Sequence, residues 1–99
     1  MPDRPLEFHP EAEEDYRGAY SWYCERSFPV AERFESAIER ALGHIGESPD
    51  RWPIHYSQFR KYTLFEFPYK IIYRSDSSRT FVLAIAHGSR KPEYWKKRS

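Results

Sequence analysis

Apolar residues along the chain keep a helical period through the first half and a period of two through the second. Leu6-Glu7-Phe8-His9 alternates as a short strand does, and Pro10 behind it suits the first turn of a helix, where proline's missing N–H leaves no bond unmade. Glu11, Glu13, Glu14 and Asp15 fall in the first turns, where carboxylates complement the helix dipole. Ala12, Tyr16, Ala19, Tyr20 and Tyr23 then recur at helical spacing, predicting a first helix to about Arg26 with these residues as its buried stripe. Ser27-Phe28-Pro29 breaks and restarts the pattern, with Ser27 or Phe28 near the cap and proline in the first turn of a second helix. Its apolar positions Ala31, Phe34, Ile38, Ala41 and Ile45 form a narrow seam suited to packing against the first helix as an antiparallel hairpin, with Gly46 as the expected stop.

Ser48 to Pro53 is a loop by its prolines, with Trp52 expected to cap the end of the core. From Phe59 the period becomes two. Tyr62 and Leu64, then Tyr69, Ile71 and Tyr73, alternate against Lys61, Thr63, Lys70, Ile72 and Arg74. Glu66-Phe67-Pro68 and Ser75 to Ser78 supply the turns of an antiparallel meander of three strands. The last strand, Phe81 to Ala86, is apolar on both faces and is expected to be the central, doubly covered one. Pro92 is placed to open a short terminal helix with cations at its C-terminal end. The expected fold is therefore α+β: an N-terminal strand and a helix hairpin packed on a mainly antiparallel sheet, in the order β-α-α-β-β-β with a short C-terminal helix.

Length and composition narrow the function. Ninety-nine residues make one domain, 1–99, and no apolar run exceeds the six residues Phe81 to Ala86, far short of a membrane span. The N-terminal residues lack a signal-peptide core, so the chain is expected in the cytoplasm. Cys24, the only cysteine, permits no internal disulfide and is expected to be a buried or partly buried thiol. His9, His44, His55 and His87 lack metal-ligand spacing, and the four glycines form no phosphate loop or dinucleotide fingerprint. Neither a metal nor a cofactor is expected.

The formal net charge of +1 conceals a split: residues 1–50 hold 12 acids and 5 bases, residues 51–99 hold 3 acids and 11 bases. The halves either neutralise one another inside the fold or leave a basic face for an anionic partner. His87, Arg90, Lys91 and Tyr94 cluster after the last strand, and Lys61 and Lys70 can join them if facing strands project both lysines from one sheet face, flanked by Tyr62, Tyr69 and Tyr94. Such a surface suits phosphates and stacked bases. Cleaving RNA there needs more: a base for the 2′-hydroxyl, cations for the phosphorane and an acid for the leaving oxygen. Arg90, Lys61 and Lys70 are candidates for the cationic role, and His87 or Tyr94 for proton transfer.

Taken together, the N-terminal strand, a helix hairpin opening with His9-Pro10-Glu11-Ala12, the strand Tyr69-Lys70-Ile71-Ile72-Tyr73-Arg74 after Phe67-Pro68, and the ending Ala84-Ile85-Ala86-His87-Gly88-Ser89-Arg90 resemble RelE/ParE-type toxins over almost the whole chain. The resemblance implies the toxin half of a type II toxin-antitoxin module, of the kind tied to plasmid stabilisation and growth inhibition, silenced by a small cognate antitoxin whose C-terminal segment wraps over it. Two targets stay open. In the RelE-like branch the toxin enters the ribosome and cuts mRNA as an endoribonuclease; by strand position Lys61, Lys70 and Arg90 fall on that pattern's cations, while Thr63 stands where a second lysine is usual. Tyr94 also lies nearer to the arginine than that pattern's tyrosine does. The ParE-like branch poisons DNA gyrase without such a catalytic set, and His87-Gly88-x-Arg90 looks closer to its endings. A non-toxic RNA- or protein-binding module is a further reading of the same basic sheet.

Overall fold

The computed structural model describes residues 5–91 and 93–98. β1 (Leu6–Phe8) leads into α1 (Pro10–Arg26), whose start is fixed by His9: its Nδ1 accepts the Glu11 amide at 3.0 Å. A single residue, Ser27, then ends one helix and starts the next. Its extended backbone donates to the Tyr23 carbonyl, and its hydroxyl accepts the Val30 amide of α2 (Phe28–Glu47). Such a one-residue link folds the two helices back on each other as the hairpin expected from the sequence.

Gly46 does not stop α2. The helix continues through it to Glu47, and the break comes at Ser48, whose neighbour Pro49 disfavours a helical backbone. The seam is as expected, with Ala31, Phe34, Ile38, Ala41 and Ile45 all buried, and Ala37 buried beside them.

Five strands form one sheet in the order β1-β5-β4-β3-β2, with β2 (Ile54–Tyr56), β3 (Phe59–Thr63), β4 (Tyr69–Ser75) and β5 (Thr80–His87). The meander β3-β4-β5 is antiparallel, and β1 joins β5 in parallel. Two expectations are corrected here. The short edge strand β2, bounded by Pro53 and by Ser57 at φ 52°, is a strand the alternation pattern missed, because three residues carry too little of it. β4, rather than β5, holds the middle of the sheet. β5 is nonetheless covered on both faces, and the reason lies beyond the helices.

On one face, Ile71, Tyr73, Val82 and Ile85 pack against the helix hairpin. On the other, Phe59, Ile72, Leu83, Ala84 and Ala86 pack beneath Trp95, which is 1% exposed and belongs to a 3-10 helix, Tyr94–Arg98. A bulge makes this second core possible: Ile72 opposes Ala84 and Tyr73 opposes Val82, so Leu83 is the extra residue and lies in the second core with Ala84. Pro92, expected to open the terminal helix, lies outside the described residues.

Trp52 does cover the end of the core, its ring tilted against that of Tyr62 with the centroids 4.7 Å apart. Cys24 is half-buried on α1. No helix among the described residues is long and apolar enough to cross a membrane.

Candidate functional site at the end of the sheet

Pairing in a pleated sheet decides which side chains share a face. Lys61 opposes Ile72, and Lys70 opposes both Thr63 and Ala86, so the two lysines lie together on the face that Trp95 covers. Tyr62 opposes Ile71 and Tyr69 opposes His87, which turns Tyr62, Tyr69 and His87 to the helix face. The expected surface, with lysines flanked by Tyr62 and Tyr69, is therefore split by the sheet. Tyr62 is bonded instead to His44 on α2, its hydroxyl 2.8 Å from Nδ1, and Tyr69 packs its ring on Phe34 at 5.1 Å.

Burial drives the Tyr69 phenol up to about 12, with the nearby Tyr23, Tyr94 and Asp15 adding to the shift. On the lysine face His55 is pushed the other way. Its pKa is lowered, first by burial and then by Lys61 and Lys70, which locates both cations within electrostatic reach of one imidazole.

Beyond β5 the chain turns through Gly88, and Arg90 lays its guanidinium 3.8 Å over the Tyr94 ring. A small cleft of about 60 Å³ is lined by Lys70, His87, Arg90 and Tyr94, among others, bringing together four of the five expected residues. Lys61 stands apart from that cleft on the same face as Lys70. Among the described residues, none of Lys61, Lys70 and Arg90 has a carboxylate within 4.0 Å. Glu93, paired with Lys96, is the carboxylate that lines the cleft beside Lys70 and Arg90.

The proton-transfer candidates are differently placed. His87 Nδ1 accepts the Ser89 amide at 2.9 Å and lies 2.7 Å from the Ser89 hydroxyl, which puts the proton of the neutral ring on Nε2. Neither nitrogen of that tautomer offers an uncommitted lone pair. The Tyr94 hydroxyl donates to Asp15 Oδ2 at 3.3 Å, and its pKa is raised, chiefly by burial and next by the Asp15 charge. Tyr94 therefore stays a neutral phenol whose proton points at a carboxylate.

Asp15 is the residue that sequence reasoning underrated. Its carboxylate accepts two bonds from Arg98 (2.7 and 3.1 Å), the Tyr94 hydroxyl and the Ile85 amide at 3.1 Å, while Arg98 also donates to the Leu83 carbonyl. Both side chains of the Asp15–Arg98 pair are 8% exposed. In the sequence Asp15 is one of four early acids and Arg98 one of a run of terminal cations, and no local signal joins residues 83 positions apart.

A second and larger hollow, about 720 Å³, runs between α1 and the end of β5. Gly18, Ala19, Trp22, Tyr69, Ile85 and Arg90 are among its lining. No group of three or more His, Cys, Asp or Glu side chains that could hold a metal occurs among the described residues.

With this geometry in hand, comparison with known proteins is informative. The family model for the ParE toxin of the parDE type II toxin-antitoxin system matches residues 6–92. A solved structure, the chromosomal ParDE TA system from P. aeruginosa, is similar in fold, with a TM-score of 0.74 and 18% identity over 85% of this chain and 95% of that one. A search of curated proteins found no match.

Proposed function

The chain belongs to the ParE toxin family, the toxin half of a type II toxin-antitoxin system with a protein antitoxin as partner, and we propose that it arrests growth by acting on DNA gyrase without cutting RNA. The observation that carries this reading is the match of the ParE toxin family model to residues 6–92. Cleavage through a 2′-hydroxyl needs a group with a free lone pair next to the phosphate-binding cations. In the cleft that collects Lys70, Arg90, His87 and Tyr94, both lysine and arginine are acids, the His87 lone pair is held by Ser89, the Tyr94 proton is held toward Asp15, and the Glu93 carboxylate is paired with Lys96. The cleft itself has room for about two waters.

Lys61, Lys70 and Arg90 then serve recognition rather than chemistry. Three cations with no carboxylate within 4.0 Å among the described residues offer contacts to an anionic surface of the target, and burying them against carboxylates or phosphates supplies the complementarity that sets partner choice. The convergence of Lys70, Arg90 and Tyr94 at one cleft is what favours the RelE-like endoribonuclease as the second reading.

Expression of the chain without its antitoxin separates the two. Growth stops in both cases. The gyrase reading expects intact messages and relaxed plasmid DNA, with arrest relieved by Arg90→Ala in a chain that still folds. Messages cut at ribosomes, with supercoiling untouched, would establish the nuclease instead.

A further inference from the structure

The register of the sheet adds a third cation to the lysine face. Lys70, Ile72 and Arg74 alternate onto one side of β4, and their partners agree: Ile72 and Ala86 belong to the core under Trp95, and Phe81, opposite Arg74, packs against that core. Lys61 stands beside Ile72 on β3. Four residues of strand separate Lys70 from Arg74, a span of about 13 Å, and Lys61 falls alongside its middle. Each of the three is half-buried, and among the described residues none has a carboxylate within 4.0 Å. On the same side, Glu7 is bonded by Arg79 and Glu93 by Lys96.

The fields of the two lysines meet at His55 on β2, whose ring lies 5.9 Å from that of Trp95. Burial lowers the pKa of this imidazole first, then Lys61 and Lys70, with Glu93 opposing and Lys96 adding to the shift. Rings that would stack on bases are withheld. Trp95 is 1% and Phe59 3% exposed, Arg74 lies 5.0 Å over the Phe81 ring, and Lys96 lies 3.9 Å over the ring of Tyr56. Sheets that grip single strands present bare aromatic faces between their cations, whereas here cations lie over the rings. What remains is attraction to phosphate. A duplex carries one charge per roughly 1.7 Å of its axis, so a row of cations about 13 Å long meets phosphates wherever it lands.

We propose that Lys61, Lys70 and Arg74 seat the phosphate backbone of duplex DNA without reading its sequence, so that the chain engages the DNA that gyrase holds as well as the enzyme. This rests on the gyrase reading above, which brings a duplex to the face. It gives Arg74 the same task as the two lysines. Arg90, which borders the hollow beside α1, is left to contact the enzyme itself.

The test titrates the full chain against a short duplex of mixed sequence at several salt concentrations, read by fluorescence anisotropy. Three phosphate contacts predict that log affinity falls with log salt at a slope of about −2.7, and Lys61→Ala, Lys70→Ala and Arg74→Ala are each expected to flatten it by about 0.9. Arg74→Lys keeps the charge and is expected to keep the slope, which separates charge from packing on Phe81. Arg33→Ala, on an exposed position of α2, is expected to change nothing. Neutralising Lys61 and Lys70 is also expected to raise the pKa of His55 in the complex, read from its ring-proton shifts, while Glu93 and Lys96, the other charges acting on it, stay paired. A duplex ignored at low salt, or a slope that survives all three alanine substitutions, would overturn the inference while the gyrase reading stands. Single-stranded RNA bound more tightly than the duplex would overturn it as well. Supercoiling unimpaired by the unaltered chain would contradict the gyrase reading itself and remove the inference with it.

Discussion

Tyr16, Tyr69 and Tyr73 each have the phenol pushed up to about 12, in every case chiefly by burial, with Glu35 next for Tyr16, Tyr23 next for Tyr69 and an opposing Arg60 for Tyr73. Tyr73 is fully buried and donates to the Pro49 carbonyl at 2.6 Å. A phenol whose folded pKa exceeds its unfolded value of 10.0 favours the fold while neutral. That contribution is complete below pH 10.0 and is lost as pH rises through about 12. Near-ultraviolet phenolate absorbance is thus expected to rise in two stages, the exposed tyrosines first and these three with unfolding at higher pH. A single stage with circular dichroism still native would contradict the assignment. At this scale the sequence was partly legible. A composition rich in tyrosine announces rings at the edge of a core, and cations in and after the later strands announce Lys70 and Arg90. The Asp15–Arg98 pair was not legible, since its partners meet only when the terminal 3-10 helix packs against β5 and Arg98 reaches from it to α1.

Elements with a strong period were easier to foresee. Pro10 and Pro29 mark both helix starts, Ser27 caps the second, and the seam of α2 is buried as its spacing requires. Weak or non-local determinants escaped. β2 is too short to show alternation, the end of α2 is set by Pro49 instead of Gly46, and the parallel pairing of β1 depends on a partner more than 70 residues away. The second core follows from the one apolar residue in the charged tail, Trp95, which explains why β5 is apolar on both faces. Trp95→Ala is expected to cost about 3–5 kcal/mol of stability in denaturant unfolding, the range for emptying a large aromatic site. A loss below about 1 kcal/mol would mean that the 3-10 helix is an ornament on a sheet already complete.

For the molecule as a whole, the charge split is answered in both of the ways it allowed. Arg79 meets Glu7, Arg98 meets Asp15 and Glu11, and Arg60 meets Asp50, so part of the basic half is neutralised by the acidic half within the fold. Lys61, Lys70 and Arg90 are left over; the lysines lie on the sheet face away from the helix hairpin, and Arg90 lies at the strand end, where it also borders the hollow beside α1. Most of the acids that stay exposed, Glu13 and Glu14 among them, belong to the hairpin; Glu7, Asp50, Glu66 and Asp76 lie outside it. The molecule is thereby polar, acidic over its helices and basic at the end of its sheet, with the β5 edge between the two. At the basic end the Glu93 carboxylate is paired with Lys96 and the Tyr94 hydroxyl with Asp15, and the chain belongs to the ParE toxin family. The most direct measurement is supercoiling by purified gyrase with the chain added at rising concentration. The account predicts that supercoiling fails in proportion to the added chain and recovers with Arg90→Ala, while translating ribosomes given the same chain keep their messages whole. Unimpaired supercoiling together with cleaved messages would contradict it.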